Sequence, residues 1–184
     1  MNETIIELRL EDVVITHELL HRPRQGTYPL DLTPSFRLIT AHASLGDYSV
    51  LRATCLAVLA LCKCGSAGFS RLGLLDEDLR WDVVTGVFER YEGGASARFD
   101  SPCGYTIDRN SAQLFERPAR YFNWMEKGEM TVFEGLVVPL HYPGTIRPYG
   151  VIWALTHDLE KRFSIDDLRI MSLLTAHAAT LITD

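Results

Sequence analysis

Cysteines are the side chains of this chain that could do covalent chemistry, and one of the four has a distinctive setting. Cys103 follows Ser101 and Pro102, a cap-plus-proline pair that predicts a short helix ending near Arg109. Backbone N–H groups and the helix dipole favour an anion at a helix start, so we expect a lowered pKa for the Cys103 thiol. The alternative is that this segment only turns the chain into the helix.

The other three cysteines do not form a metal or disulfide motif. Cys62 and Cys64 are two residues apart, and on a helix such side chains point roughly 200° apart. Cys62 continues an apolar stripe that includes Cys55, and a buried free cysteine behaves as a small hydrophobe. The six histidines are scattered along the chain and provide no close second pair. We therefore predict no metal site.

Aromatic side chains and one histidine could line a site for a small molecule. Trp81, Phe122 and Trp124 supply the aromatic surface that small-ligand pockets use, whereas Trp153 is expected to pack in the core. His157 ends a predicted strand beside an aspartate and could titrate near neutrality against a ligand. Core packing for the aromatic residues and an exposed loop position for His157 remain open alternatives. The predicted ligand-binding residues are Cys103, Trp81, Phe122, Trp124 and His157.

Motifs of the common enzyme classes are missing from the sequence. Glu134 has no second acid at a spacing typical of general acid–base pairs, and as a lone glutamate at a strand edge it is expected to be solvated. The serines lack a nucleophile-elbow setting. Gly93 and Gly94 have no P-loop lysine after them. We therefore predict that the protein is not an enzyme, with one alternative given below.

The composition indicates one globular domain. The chain has 184 residues, of which 47% are hydrophobic and 23% charged, enough to bury a full core. A net charge of −6 argues against a nucleic-acid surface. The N-terminus lacks the basic start and continuous apolar run of a signal peptide, and no segment is apolar enough to span a membrane. We expect a cytoplasmic protein with free thiols and with no nucleic-acid or membrane partner.

Helices are predicted near the start and at the end of the chain. Thr33 and Pro34 fit an N-cap followed by proline at the first helical position. Asp47 can cap a second helix, which Gly65 is placed to end. Ser164 begins the last helix, and the aspartate three residues later completes a capping-box analogue.

Period-two alternation and short apolar runs predict strands at residues 67–72, 79–87, 113–115, 133–141 and 149–157. In residues 79–87 every second residue is apolar or threonine, which predicts a strand with one buried face. Residues 91–99 are read as a loop. The last two strands flank a connection rich in proline, which suits an antiparallel hairpin. This order of elements predicts an α+β fold with helices packed on an antiparallel sheet.

The second half of the chain resembles a GAF domain, a small-molecule sensor module common in bacterial signalling proteins. The resemblance rests on the segments FDSPCG, YFNW, EGLVVPL, YGVIWALTHD and RFSIDDLRIMSLLTAHAAT in this order, and the SPCG tetrapeptide indicates a subgroup. It implies a central antiparallel sheet of five to six strands, with the terminal helices on one face and short helices and loops covering a pocket on the other. Residues 32–184 are then the domain, and residues 1–31 an N-terminal extension or linker.

The resemblance also implies a function. Such a domain binds a small molecule, here unidentified, and relays the signal through its terminal helices. Its host is expected to be a bacterial signal-transduction protein, such as a sensor histidine kinase of a two-component system. In bilin-binding relatives a cysteine on the helix over the pocket can carry the chromophore. Those relatives typically have histidine next, and Gly104 here argues against covalent bilin. The NKFDE signature of cyclic-nucleotide-binding relatives is missing from this sequence.

Two alternatives to a sensor remain. Some GAF proteins reduce free methionine sulfoxide with a nucleophilic and a resolving thiol. Cys103 could be the first thiol, but the second is hard to name. The other alternative is a degenerate domain that serves only for dimerisation, with its pocket filled by aromatic side chains.

A homodimer built on the terminal helices is expected in the sensor reading. Ile170, Leu173 and His177 form a second apolar edge of the last helix, beyond the stripe that faces the sheet. Phe36 and Ile39 on the first helix could complete that surface.

Overall fold

A six-stranded antiparallel sheet forms the centre of the computed structural model, which describes residues 8–24, 31–128 and 130–183. Its strands are β1 Ser66–Leu72, β2 Asp78–Gly86, β3 Ala95–Ala97, β4 Gln113–Glu116, β5 Glu134–Leu140 and β6 Gly150–Thr156. Their order across the sheet is β3-β2-β1-β6-β5-β4, and every neighbouring pair is antiparallel. The predicted α+β class is confirmed. The short strand β3 lies within the segment predicted to be a loop.

In the described part of the chain, four α-helices accompany the sheet: α1 Thr33–Ala41, α2 Asp47–Leu61, α3 Pro102–Arg109 and α4 Ile165–Ala179. Two of the predicted helix starts are confirmed in detail. Ser101 accepts a hydrogen bond from the Gly104 amide before α3, and Ser164 forms a capping box with Asp167 before α4. Short 3-10 turns connect the elements, and Asn123–Lys127 is the one that bears on the site. Within the described ranges, no helix is long and apolar enough to cross a membrane.

One face of the sheet carries α1, α2 and α4 over a closely packed core. Phe69 and Ile152 point from the strands into this core, and Met171 and Leu174 meet them from α4. All four side chains are fully buried. Burial of a side chain of this size stabilises the fold by about 1.5 to 3 kcal/mol, so this face supplies much of the stability. We call it the helix face.

The opposite face of the sheet carries α3 and the 3-10 turns. Val137 and Trp153 point to this side, together with Phe115. They alternate with neighbours that point to the helix face, as a pleated strand requires. We call this side the cavity face.

A β-bulge in β2 changes which side chains reach the cavity face. Val83 pairs with Phe69, whereas Trp81 pairs with Ser70, so Asp82 is an extra residue in the ladder. The extra residue reverses the alternation. Val83 therefore packs on the helix face while Trp81 packs on the cavity face. The prediction that residues 79–87 present their apolar side chains to one face was wrong for this reason.

The described part of the N-terminal segment packs on the sheet. Val13, Ile15 and Leu19 are buried, and the Ile15 amide donates to the Leu114 carbonyl at 2.8 Å. Residues 8–24 thus share the core of the domain. The division at residue 32 stays a prediction, since residues 1–7 and 25–30 lie outside the described residues.

A buried carboxylate joins this N-terminal segment to the beginning of α4. Glu134 is 1% exposed, contrary to the expected solvated position. Arg22 donates to its two oxygens at 3.0 and 2.8 Å, and the Phe163 amide donates at 2.8 Å. Arg162 forms a further ion pair with the same carboxylate. Glu134 is buried because two segments, the N-terminal one and residues 162–163, supply donors for it.

The apolar edge predicted for α4 is largely covered within the monomer. Ile170 is 6% exposed and Ile39 is fully buried. The His177 ring lies 4.8 Å from the Phe36 ring. Helix α1 packs along α4 and covers part of this edge. Phe36 and His177 are half-buried, and Leu173, which is 48% exposed, remains at the surface. The predicted edge was therefore wrong for Ile170 and Ile39.

Candidate ligand cavity

A cavity of about 240 Å³ lies between the cavity face of the sheet and the layer formed by α3 and the turn Asn123–Lys127. Its aromatic wall residues are Trp81, Phe88, Tyr91, Phe115, Trp124 and Trp153. Its other wall residues are Val84, Ser96, Ser101, Pro102, Cys103, Pro118, Met125, Lys127, Gly128, Val132, Gly135, Val137 and Leu155. The chain has three tryptophans in all, and each of them lines this space.

Trp153 forms the floor of the cavity on the central strand β6. Its indole N–H donates to the Ser70 hydroxyl at 2.9 Å. A Cβ at Gly68 would overlap the Trp153 ring. The missing side chain at Gly68 therefore lets the indole lie against the sheet and leaves the space above it open.

Trp81 and Trp124 form a stacked pair, which we call the tryptophan pair. Their ring centroids lie 6.0 Å apart with an interplanar angle of 26°. The Trp124 indole N–H donates to the Asp100 carbonyl at 2.6 Å. A Cβ at Gly94 would lie 2.7 Å from the Trp81 ring, so glycine permits the chain to pack on that ring. Hydrogen bonding and packing thus fix both rings.

Cys103 is the second residue of α3 and lies on the cavity wall. Enclosure in apolar surroundings raises the pKa of its thiol to about 12, although a hydrogen bond with Ser70 acts in the opposite direction. The expected lowering of this pKa was wrong, because burial outweighs the effect of the helix start. The thiol stays protonated at neutral pH.

The remaining cysteines lie on the helix face of the sheet. Cys55 and Cys62 are buried in the core there, and Cys64 packs against it. Burial raises the pKa of the Cys64 thiol to about 12 and also raises the pKa values of Cys55 and Cys62. The sheet separates all three from Cys103. Among the described residues, no group of histidine, cysteine and acidic side chains could hold a metal ion.

Phe122 lies behind the cavity wall and not on it. It is 2% exposed, and its ring meets the Phe115 ring edge-on at 6.2 Å between centroids. Phe115 is the residue that reaches the cavity. Phe122 therefore supports the wall through Phe115.

His157 is likewise one layer removed from the cavity. Its ring lies 4.5 Å from the ring of Phe88, which does line the cavity. Nδ1 lies 3.0 Å from the Thr131 carbonyl, so Nδ1 must carry the proton. In the neutral ring Nε2 then accepts from the Ser66 hydroxyl at 2.9 Å. Burial lowers the pKa of His157, which favours this neutral form.

Comparison of whole folds shows a similarity of fold that sequence comparison does not. The GAF domain of an Acinetobacter phosphoenolpyruvate-protein phosphotransferase superposes with a TM-score of 0.67 at 15% identity, over 80% of this chain and 90% of that one. This chain has the GAF fold. The phycocyanobilin-bound GAF domain of a cyanobacterial phytochrome gives 0.65 at 16% identity, over 82% and 93% of the two chains. No protein-family model and no curated protein matches the sequence.

One structure with this GAF fold is an enzyme. The free methionine-R-sulfoxide reductase of Neisseria meningitidis superposes with a TM-score of 0.65 at 14% identity, over 86% of this chain and 94% of the enzyme. Identities of this size show the fold alone.

Sequence reasoning placed some wall residues of this GAF fold and missed others. Trp81, Trp124 and Cys103 do line the cavity. Leu155 was missed, although period-two spacing from Trp153 was a usable signal for it. Val84 was missed because the bulge at Asp82 shifts the alternation that would have identified it.

Proposed function

We propose that this GAF-fold domain is a cytoplasmic sensory or regulatory module that binds a small molecule in the cavity and relays the change through its terminal helices. The supporting observation is an apolar cavity of about 240 Å³ with six aromatic side chains around it and none filling it. Concave, mostly apolar spaces with a few polar groups are the usual design for small-ligand sites. At the packing density of protein interiors, such a space takes a ligand of roughly 180 Å³.

The ligand contacts follow from the wall. Trp81, Trp124 and Cys103 would touch the ligand directly, with Cys103 acting as a neutral thiol. Phe122 and His157 would act through the aromatic residues in front of them. The unidentified ligand is smaller than a tetrapyrrole, and Gly104 after Cys103 also argues against covalent bilin.

A route to the helices runs through the central strands. In β5 and β6, wall residues such as Val137 and Trp153 alternate with Leu136 and Ile152, which pack on the helix face. Helix α4 packs on β5. A ligand that displaces either strand therefore changes the surface on which α4 packs. In a sensor histidine kinase, which we propose as the type of host, α4 would carry this change to the output domain, and a homodimer would pair the terminal helices.

Thiol chemistry is the second candidate, and the geometry favours it less. A reductase mechanism needs two thiols within reach of each other. The sheet lies between Cys103 and the other cysteines, and burial raises the pKa of every thiol. A dimerisation module with a filled pocket is also disfavoured, because the space under α3 is open.

A ligand screen with a cavity-filling control tests the proposal. Small aromatic and aliphatic compounds are screened by thermal shift, and binders are titrated by tryptophan fluorescence, which reports on the cavity because every tryptophan lines it. A ligand at about 100 times its Kd should stabilise the domain by about 2.7 kcal/mol.

Val137→Phe places extra volume in the cavity and should abolish both responses. Val87→Phe makes the same change at a site that is 48% exposed and should leave them intact. Binding that survives in Val137→Phe, or a screen in which no compound binds the wild type, contradicts the proposal. Circular dichroism verifies that both variants are folded.

A further inference from the structure

Most polar groups of the cavity wall already have partners inside the protein. The indole N–H of Trp153 donates to Ser70, and that of Trp124 donates to the Asp100 carbonyl. The Ser101 hydroxyl accepts from the Gly104 amide. These groups offer a ligand no free hydrogen-bonding capacity. The deep part of the site therefore presents only apolar surface, and the buried body of the ligand must be apolar too.

The Ser96 hydroxyl and the Lys127 ammonium of the wall have no hydrogen-bond partner within the described ranges, and the same holds for the indole N–H of Trp81. Ser96 is 9% exposed and lines the cavity. Lys127 is exposed and lines the mouth. The Ser96 hydroxyl is not among the fully buried unpaired atoms of the described residues, so it stays open to solvent, and a ligand atom can take the place of that solvent.

Ser96 and Lys127 flank the tryptophan pair. Ser96 pairs across the ladder with Leu79, two residues before Trp81. Lys127 belongs to the same 3-10 turn as Trp124. The polar end of a ligand that rests on these rings would thus meet a hydroxyl donor and an ammonium group.

The charge of the wall has one sign. Lys127 is its single ionised side chain among the described residues, and no aspartate or glutamate joins it there. Glu126, the neighbour of Lys127, does not line the cavity. A second charge on the ligand would lie against apolar surface without a counter-charge, which is unfavourable. A single negative charge is therefore the ionic state that the wall favours.

We propose that the ligand is a small aromatic molecule with one anionic group, of the aryl carboxylate class. Its ring lies over the Trp153 floor and against the tryptophan pair. Its anionic group accepts hydrogen bonds at the end where Ser96 and Lys127 lie. Zwitterions and nucleotides are poor ligands for this wall. The inference rests on the proposed ligand-binding function of the same cavity.

Three naphthalene derivatives of matched shape test the ligand class by isothermal titration calorimetry. They are 2-naphthoate, the neutral 2-naphthamide and the cationic 2-naphthylmethylamine. We expect the naphthoate to bind about tenfold more tightly than the amide, since an ammonium–carboxylate hydrogen bond is stronger than a neutral one. The amine should bind most weakly.

Two variants test whether Lys127 and Ser96 cause the preference for naphthoate over naphthamide. Lys127→Met removes the charge at nearly constant length, and it should bring the naphthoate affinity down to that of the amide. Ser96→Ala should weaken the binding of both the naphthoate and the amide by several-fold. Lys63→Met, at an exposed site outside the cavity, is the charge-matched control and should change neither affinity.

Amide binding equal to or tighter than naphthoate binding, or an undiminished preference in Lys127→Met, overturns the ligand class while leaving the cavity a binding site. The ligand class is also overturned if none of the three binds although other compounds in the screen do. If no compound of any kind binds the wild type, both the ligand class and the proposed function fall.

Discussion

The two faces of the sheet are built from the same strands, yet one is filled and the other is open. On the helix face, side chains such as Leu136 and Ile152 pack against α2 and α4 and are fully buried. On the cavity face, Gly135 and Leu155 border a space of about 240 Å³. Since an unfilled apolar cavity lowers stability in proportion to its size, the helix face supplies more of the stability, and the cavity face leaves the space in which we propose that a ligand binds.

The largest effect should come from the buried charge that anchors the helix face. Glu134→Gln removes the carboxylate that Arg22 and Arg162 share. Loss of one partner in a buried ion pair costs about 3 to 5 kcal/mol. Chemical denaturation should therefore show a loss of this size in the free energy of unfolding.

Glu116→Gln is the matched control for that change. Glu116 pairs with Arg162 at 3.1 Å, but its side chain is 34% exposed. An exposed pair contributes about 1 kcal/mol or less. If the two variants lose equal stability, the buried carboxylate is not the anchor of the helix face.

Replacing leucine by alanine should cost more stability on the helix face than on the cavity face. Leu136→Ala in β5 creates a new void in the packed core, and we expect a loss of about 3 kcal/mol in the free energy of unfolding. Leu155→Ala in β6 enlarges a space that already exists, so about 1 kcal/mol should be lost. Equilibrium urea denaturation of both variants measures the difference. Equal losses would mean that the two faces contribute alike to stability.

The outer surface of the helix layer bears on assembly more than on stability. Leu173 is 48% exposed on α4, so Leu173→Glu should change the unfolding free energy of the monomer by no more than about 0.5 kcal/mol. If the proposed dimer pairs the terminal helices, light scattering should show dissociation in this variant. Leu159→Glu, at a loop site that is 51% exposed, should leave the assembly unchanged. A wild type that is monomeric, or a Leu173→Glu variant that stays dimeric, contradicts the dimer.

The smallest expected effect on stability comes from His157, which packs behind the cavity wall, and it depends on pH. Burial lowers the pKa of His157 below its value in the unfolded chain. The unfolded chain therefore binds more protons as pH falls, and stability present above the unfolded pKa is lost on acidification. Between about pH 7.5 and about pH 5, the wild type should lose more unfolding free energy than His157→Gln. The extra loss should be smaller than the loss expected if the unfolded state bound one whole proton more than the folded state over this entire range. Parallel pH profiles from urea denaturation would exclude His157 as the cause.

Local signals in the sequence predicted much of the fold. The caps at Ser101 and Ser164 fixed two helix starts, because a side-chain oxygen next to a helical run needs no distant partner. The hairpin of β5 and β6 followed from long apolar runs on either side of a turn. Strand β3 was missed because three residues are too few to show a period.

Properties that depend on distant residues could not be predicted in this way. Glu134 is buried because Arg22, 112 residues away, reaches it. The pKa of Cys103 depends on the apolar enclosure that several elements build together, while the sequence showed only the helix start. Phe122 and His157 were predicted to bind the ligand but lie behind the cavity wall, because single-residue patterns do not tell a wall residue from the residue behind it.

The alternation along β5 and β6 has a consequence for how proteins of this fold can diverge. Adjacent residues such as Leu136 and Val137 belong to different faces, so point mutations can reshape the cavity without touching the side chains under α4. Sequence changes among the cavity-wall residues can therefore alter the shape of the cavity while the helix layer keeps the same architecture. A shared fold at sequence identities of 14 to 16% is compatible with such independent variation of the two faces.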